Sequence, residues 1–471
     1  MTHSLERNFN ELEKLFRNNS SGRPSSGGTG AADSLFFHSL NGDQLLTKML
    51  SRIMNGTRER PTSLTDRSNA KLAALYELVC GQHLDVADYV LQSQHVIDLL
   101  DILCHRINLL DTTLMSTSGE GTTALTCVIV VGALCRLLST IFNTLHGHYS
   151  TLADSTDDSL AFNHIIQYLI IYIVSVGMID KLSLMMANTR GSVDDHPELT
   201  QCLRSVVSLF SSLSKLMALR VEERFGARLA DDETQLMLTF QRTHIGGVVS
   251  LIYGVLLHSG APQRADGDRP PPAADHTLDL TLEVIRLLNY VSLLDLNVVQ
   301  CVLGGEGLLL QLRHICSYLL WYCTHHKREA LLNEAILLVG NFVVLNDENQ
   351  ALLESGQRPT VVQQLCSLPI EYFSDDRLSR VLFPTLIACC FQNPQNRTVL
   401  EKEMSTLMLS TFIESTIIGL QLRAVDSHVS AGVRRPANSL AEQRLTFAKR
   451  FQKNRWNEAK DYFEAQTEAD P

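Results

Sequence analysis

Two stretches of this chain match one another without a gap. NYVSLLDLNVVQCVLGGEGLLLQL (289–312) and NFVVLNDENQALLESGQRPTVVQQ (341–364) align at an offset of 52, which sets Asn289 on Asn341, Asp295 on Asp347, Asn297 on Asn349 and Gly304 on Gly356. A third copy, FQNPQNRTVLEKEM (391–404), follows at 47, placing Asn393 on Asn346 and Asn396 on Asn349. Self-similarity at this spacing confines the chain to stacked units, because one such unit cannot bury its own apolar face.

Each part of the repeat has a physical reading. An apolar helix ends near the Asn-Asp pair, whose side chains can accept from the free N–H groups of the next helix. That second, short helix stops at Gly356, a residue suited to the left-handed position just past a helix end. Pro359 has the φ wanted at a helix start, so TVVQQLCSL opens a further helix. The order of helix, short helix, glycine and helix predicts an all-α, armadillo-like helical repeat, an α-solenoid, with loops somewhat longer than usual.

The rest of the chain agrees with helices. From about Ser68 to Thr411 apolar residues recur at i, i+3, i+4 and i+7, as in LAALYELVC (72–80) and VIDLLDILC (96–104). Residues 1–67 read as a short helix followed by a Gly/Ser-rich flexible region, and 68–258 as the first half of the array. The segment SGAPQRADGDRPPPAADHT within 259–277 reads as a disordered linker, 278–425 as the repeats, and 426–471 as a basic cap and tail. The N-terminal sixteen residues lack the apolar core of a secretory leader. Two apolar runs, 123–142 and 165–179, are expected to be core helices and not membrane spans. The first carries Arg136 and the second is closed after 15 residues by Asp180 and Lys181, whereas a bilayer asks for about 20 apolar residues. Ten of the eleven cysteines fall inside apolar helical patterns and only Cys323 approaches a loop; with no CxxC present, thiols in a reducing compartment such as the cytosol are expected.

The stretch LNDENQALLESGQRPTVVQQLCSLPIEYFSDDRLSRVLFPTLIACCFQNPQNRTVLEKEMSTLMLSTFIE (345–414) resembles the C-terminal helical domain of the family of S phase cyclin A-associated proteins in the endoplasmic reticulum. YIVSVGMIDKLS (172–183), GGVVSLIYGVLLH (246–258), GGEGLLLQLRHICSYLL (304–320) and RFQKNRWNEAKDYF (450–463) extend the likeness over roughly residues 70–464. The resemblance implies a non-enzymatic adaptor acting at translating ribosomes in tubulin mRNA decay. It would link a tetratricopeptide-type reader of nascent tubulin to the deadenylase machinery. It also implies association with cyclin A and with the cytosolic face of the endoplasmic reticulum. Cyclin A is the weaker expectation, because longer members carry polar, coiled-coil and zinc-finger regions ahead of this domain that are not in this sequence.

Catalytic signatures do not occur: there is no GxxxxGK[ST], GxSxG, HExxH or EF-hand loop. No cofactor and no metal are expected. His314, Cys316, Cys323, His325 and His326 have the right chemistry for metal ligands, but on one helix His314 and Cys316 point about 200° apart. Asp231, Asp232 and Glu233 suit the positive end of a helix. Arg380-Val381-Leu382-Phe383 matches the RxLF pattern that cyclins dock, yet it lies in an apolar run where the last three side chains belong to a core.

Two candidate sites remain. Asn289 and Asn341 share one repeat position, where armadillo repeats place a groove-lining asparagine that bonds an extended partner chain. Ala388 stands at that position in the third copy, and a capping or inter-repeat hydrogen bond explains the pair equally well. The second site is the run from Arg434 to Arg455, which carries a net +6 in a chain of net −11. Residues 440–463 are expected to form one helix or two short ones packed on the end of the array. Arg444, Lys449, Lys453 and Arg455 would then form an outward rim able to meet RNA phosphate.

Overall fold

Wherever the apolar periodicity is strong the chain is helical, and no strand occurs among the described residues. The computed structural model describes residues 51, 63–82, 84–92, 95–115, 121–149, 157–221, 231–257, 269–356, 358–417 and 453–465. These divide into two compact units. One comprises the described residues up to Met178 together with those from Ser208 to Val221; the other comprises Ile179–Val207 and the described residues from Asp231 onward. The division therefore does not fall at 259–277.

In the first unit α1 (Ser63–Gln82), α2 (Leu84–Gln92) and α3 (His95–Met115) all pack on α4 (Gly121–Tyr149), and α5 (Asp157–Ser175) follows. Within α4, residues 127–149 are long and apolar enough to cross a bilayer. Its Val131, Leu134, Cys135, Leu138, Ile141 and Phe142 are nonetheless enclosed by protein, as expected of a helix apolar all round at the centre of a core. Arg136 does not interrupt the packing, because Glu77 of α1 meets it at 3.5 Å.

The second unit opens with α6 (Met178–Asn188) and the first half of α7 (Pro197–Val221). It continues with α8 (Asp231–Leu256), which starts at the acidic cluster, α9 (Asp275–Leu294), α10 (Leu296–Leu303), α11 (Leu308–His326) and α12 (Glu329–Val343). Then come α13 (Asp347–Glu354), α14 (Val361–Cys366), α15 (Glu371–Ser374), α16 (Asp376–Cys390) and α17 (Pro394–Glu403). Finally α18 (Leu407–Ile417) and α19 (Lys453–Glu464) complete the described chain. The long helices α9, α12 and α16 stack in sequence, and so do α8, α11 and α14.

Residues 269–277, expected in a disordered linker, are held in place. The Ala274 N–H donates to Asp194 at 3.2 Å, the Ala273 N–H to the Tyr322 hydroxyl at 3.1 Å, and Thr277 Oγ1 to Asp194 at 2.6 Å. Helix α9 accordingly starts three residues before 278. Pro-rich composition suggested flexibility; two side chains distant in sequence, Asp194 and Tyr322, supply the partners that remove it.

The caps sit where the repeat places them, with one shift of register. Asn346 accepts from the N–H of Asn349 and Asn393 from that of Asn396, each at 3.0 Å. In the first copy the cap is Asp295, accepting from Val298 at 3.0 Å. Asp295 thus matches Asn346 and not Asp347, which lies in the first turn of α13. Leu345 and Gln392, each just before a cap, share a left-handed backbone with φ 53° and 59°.

Glycine usage is corrected at one position. Gly356 has the expected left-handed φ of 105° after α13, but Gly304 ends α10 with φ −80°. A Cβ on Gly304 would lie 2.6 Å from Asn349 Oδ1, so the residue is small because the next repeat approaches it. Helix α14 starts at Val361, within the expected TVVQQLCSL segment, after a reciprocal cap between Thr360 and Gln363.

Candidate functional site

What joins one repeat to the next is a recurring set of buried side-chain donors aimed at backbone carbonyls. Gln300 of α10 donates to the carbonyls of Asn341 and Val344 at the end of α12, at 3.0 and 2.9 Å. Gln350 of α13 donates to those of Ala388 and Phe391 at the end of α16, at 2.8 and 3.1 Å. Both acceptor pairs are three residues apart and finish on the residue that ends the long helix. A second set runs backwards. Asn349 Nδ2 bonds the carbonyls of Phe342 (2.9 Å) and Gln300 (3.4 Å), and Asn396 Nδ2 those of Cys389 (2.8 Å) and Gln350 (3.2 Å).

Asn289 and Asn341 belong to the same system. Asn341 Nδ2 donates to Asn289 Oδ1 at 2.8 Å, and Asn289 Nδ2 donates to Glu334 Oε2 at 2.8 Å and to the Glu334 carbonyl at 2.9 Å. Arg286 Nε reaches the other oxygen of the same carboxylate at 3.2 Å. The asparagines are only 1% and 0% exposed. The expectation of an open, groove-lining pair is corrected on this point: the side chains face each other across stacked helices, and both amide nitrogens and Asn289 Oδ1 bond protein, while the buried Asn341 Oδ1 accepts no hydrogen bond. At Ala388 the system changes. Thr385 Oγ1 donates instead to the Ile336 carbonyl at 3.0 Å, close enough to Gly340 that a Cβ there would lie 2.7 Å from the hydroxyl.

The C-terminal helix takes up the pattern where the repeats leave it. Arg397 stands in α17 at the place Gln350 holds in α13, four residues after the cap. Its Nη1 donates to the carbonyl of Tyr462 at 2.5 Å and its Nη2 to that of Ala465, again two acceptors three residues apart at a helix end. The guanidinium also lies 4.8 Å from the centre of the Tyr462 ring, and Glu401 pairs with Nε at 2.7 Å. Trp456, Ala459 and Phe463 are buried, and Tyr462 meets Phe391 edge-on at 5.7 Å. Arg444 and Lys449 lie outside the described residues, and Lys453 is the first residue of α19. Arg455 is held by Glu458 at 2.9 Å. Lys453, Arg455 and Lys460 are matched in number within α19 by Glu458, Asp461 and Glu464. The helix itself therefore carries no net positive charge.

The remaining candidates have structural roles or lie apart from one another. The cysteines are reduced thiols; Cys323 is buried and Cys301 is the exposed one, the reverse of the sequence reading. Burial pushes the thiols of Cys80, Cys316, Cys323 and Cys366 up to about 12, so none of these four is a thiolate nucleophile at neutral pH. His314 stacks on Tyr253, while His325 and His326 bond the carbonyls of Trp321 and Pro270. Among the described residues no three His, Cys, Asp or Glu side chains converge on a metal-sized site. Val381, Leu382 and Phe383 are buried in α16, and Arg380 pairs with Asp376 at 2.6 Å, so the RxLF pattern is not an exposed peptide. Beside Phe383 a shallow apolar groove of about 390 Å³ is lined by Leu407, Met408, Thr411, Phe412 and Ser415.

Gln300, Gln350 and Arg397 were the residues that sequence reasoning missed. A signal existed: each follows its cap by four or five residues, and Gln350 and Arg397 are separated by the same 47 as their caps.

No protein-family model matches the chain. Over 457 residues, 92% of its length, the chain is 29% identical to the human S phase cyclin A-associated protein in the endoplasmic reticulum. The match covers 32% of that protein, so the chain spans about a third of the length of the curated relative it matches. The resemblance carried by residues 345–414 therefore extends along nearly the whole chain, which is similar to about one third of the human S phase cyclin A-associated protein in the endoplasmic reticulum.

Proposed function

We propose that this chain is a non-enzymatic adaptor built as an armadillo-like α-solenoid. The observation that carries the reading is the kinship itself, 29% identity sustained over 92% of the chain. Two features support it. Stacked helices tied by recurrent carbonyl-directed bonds suit a protein whose work is to hold surfaces at fixed spacing. The buried thiols whose pKa values are raised offer no nucleophile. In this reading the adaptor acts on translating ribosomes, at the cytosolic face of the endoplasmic reticulum. There it links a tetratricopeptide-type reader of nascent tubulin to the deadenylase machinery, and the basic run from Arg434 to Arg455 supplies the contact with RNA phosphate. The test is co-sedimentation of the purified chain with ribosomes across a salt series. Engagement of four phosphates through Arg444, Lys449, Lys453 and Arg455 gives a log–log slope of roughly −3 to −4, and changing all four to Glu abolishes association with the helical fold retained. Undiminished binding by that variant removes the RNA contact from the proposal.

A second reading, a cyclin A-associated scaffold without RNA contact, draws on the relative's name and on the balanced charge of α19. Pull-down with cyclin A in the absence of ribosomes separates the two.

A further inference from the structure

The C-terminal helix is joined to the rest of its unit through residues 418–452, yet it is received as though it were the next long helix of the array. The capped short helices α10, α13 and α17 each present one donor side chain, Gln300, Gln350 and Arg397, to two carbonyls three residues apart at a helix end. From the second to the third instance the acceptors jump by 74 residues, from Ala388 to Tyr462, whereas Asn341 to Ala388 is 47. The donor changes as well. Glutamine, neutral and short, serves where the long helix follows closely in the chain. Arginine, longer and charged, serves where it arrives from far away, and adds a cation–π contact on Tyr462.

We infer that the surface made by Phe391, Arg397 and Glu414 is a helix-end binding site whose ligand in this protein is the chain's own helix α19. The class of ligand follows from the contacts. It is an amphipathic helix with bulky apolar residues spaced as Trp456, Ala459 and Phe463 are, a lysine opposite Glu414 as Lys460 is at 3.1 Å, and open carbonyls at its C-terminal end. Arg397 reads those carbonyls, which carry the negative end of the helix dipole. A free helix of the same pattern competes for the seat.

Hydrogen exchange on the full chain tests this. Arg397→Leu removes charge-assisted bonds, so the amides of residues 458–465 exchange roughly ten- to a hundredfold faster, with α12 and α16 unchanged. Arg397→Gln restores the donor used twice elsewhere in the ladder and recovers most of the protection. A labelled peptide of residues 453–465 binds the Trp456→Ala chain, whose own helix is loosened, and fails to bind the Trp456→Ala/Arg397→Leu chain. The inference is overturned if Arg397→Leu leaves exchange in 458–465 unaltered, if Arg397→Gln exposes α19 as fully as leucine does, or if the peptide binds irrespective of residue 397.

Discussion

Helices α4 and α12 are both wrapped by other helices, but different forces hold them. Around α4 most contacts are apolar, and its main polar bonds to other helices join side chain to side chain: Arg136 to Glu77, Ser139 to Ser208 at 2.7 Å and Tyr149 to Asp88 at 3.2 Å. Around α12 apolar packing is joined by a polar system. The carbonyls of Glu334, Ile336, Asn341, Phe342 and Val344 each accept from a side chain, and three of the four donor residues lie on neighbouring long or short helices 41 to 49 residues away. Apolar contacts are non-directional and tolerate a shift of one helix along another. Hydrogen bonds to named carbonyls do not, because a slip of one residue breaks all of them. Repeats that present similar apolar faces to one another have alternative registers available, and the buried amides select one.

The comparison can be tested from its strongest consequence downward. Leu138→Ala in α4 opens a cavity in a mainly apolar core and costs about 2–5 kcal/mol, read as a shift in the denaturant midpoint. Asn341→Ala leaves Asn289 Oδ1 without its donor and costs about 1–3 kcal/mol. The double change with Asn289→Ala then costs less than the sum of the two, because the pair is one interaction. If the two add independently, the inter-repeat bond is not the reason for these residues. Gly340→Ala drives a Cβ into Thr385 Oγ1 and costs on the order of 1–3 kcal/mol by overpacking. Thr385→Ala in the same chain recovers part of that loss, which distinguishes close approach from helix propensity. Asn393→Ala removes the cap of α17 and costs about 1 kcal/mol.

The smallest effect is a pH dependence. Burial, with Arg313 adding to it, holds the His314 imidazole below its ordinary value of 6.5. A lowered pKa in the folded chain means that the unfolded chain takes up the proton first. The stability this contributes is complete above 6.5 and is lost as pH falls through the folded value. Urea midpoints measured at pH 7.5 and 5.5 fall on acidification, and His314→Gln reduces the fall.

Much of the repeat was legible because its signals are local. A cap needs only a side-chain oxygen three residues before an N–H, so Asn346 and Asn393 could be placed from spacing alone, and Asp347 was mistaken for a match to Asp295 only because the first copy is one residue longer there. The groove assigned to Asn289 and Asn341 was not decidable in that way, since an asparagine bonded to its repeat mate and one bonded to a partner look alike in sequence. Residues 269–277 misled for a related reason: proline-rich composition describes the segment's own preferences and is silent about Asp194 and Tyr322, which hold it.

The sequence by itself determined the helical class, the short helices and their caps, and the spacing at which the unit recurs. Each of these depends on residues within a turn or two of one another. Only the tertiary structure decided what Gln300, Gln350 and Arg397 do, because their partners are backbone carbonyls between 38 and 68 residues away. Every residue carries such a carbonyl whatever its side chain, so the sequence can name the donor but leaves its acceptor unmarked.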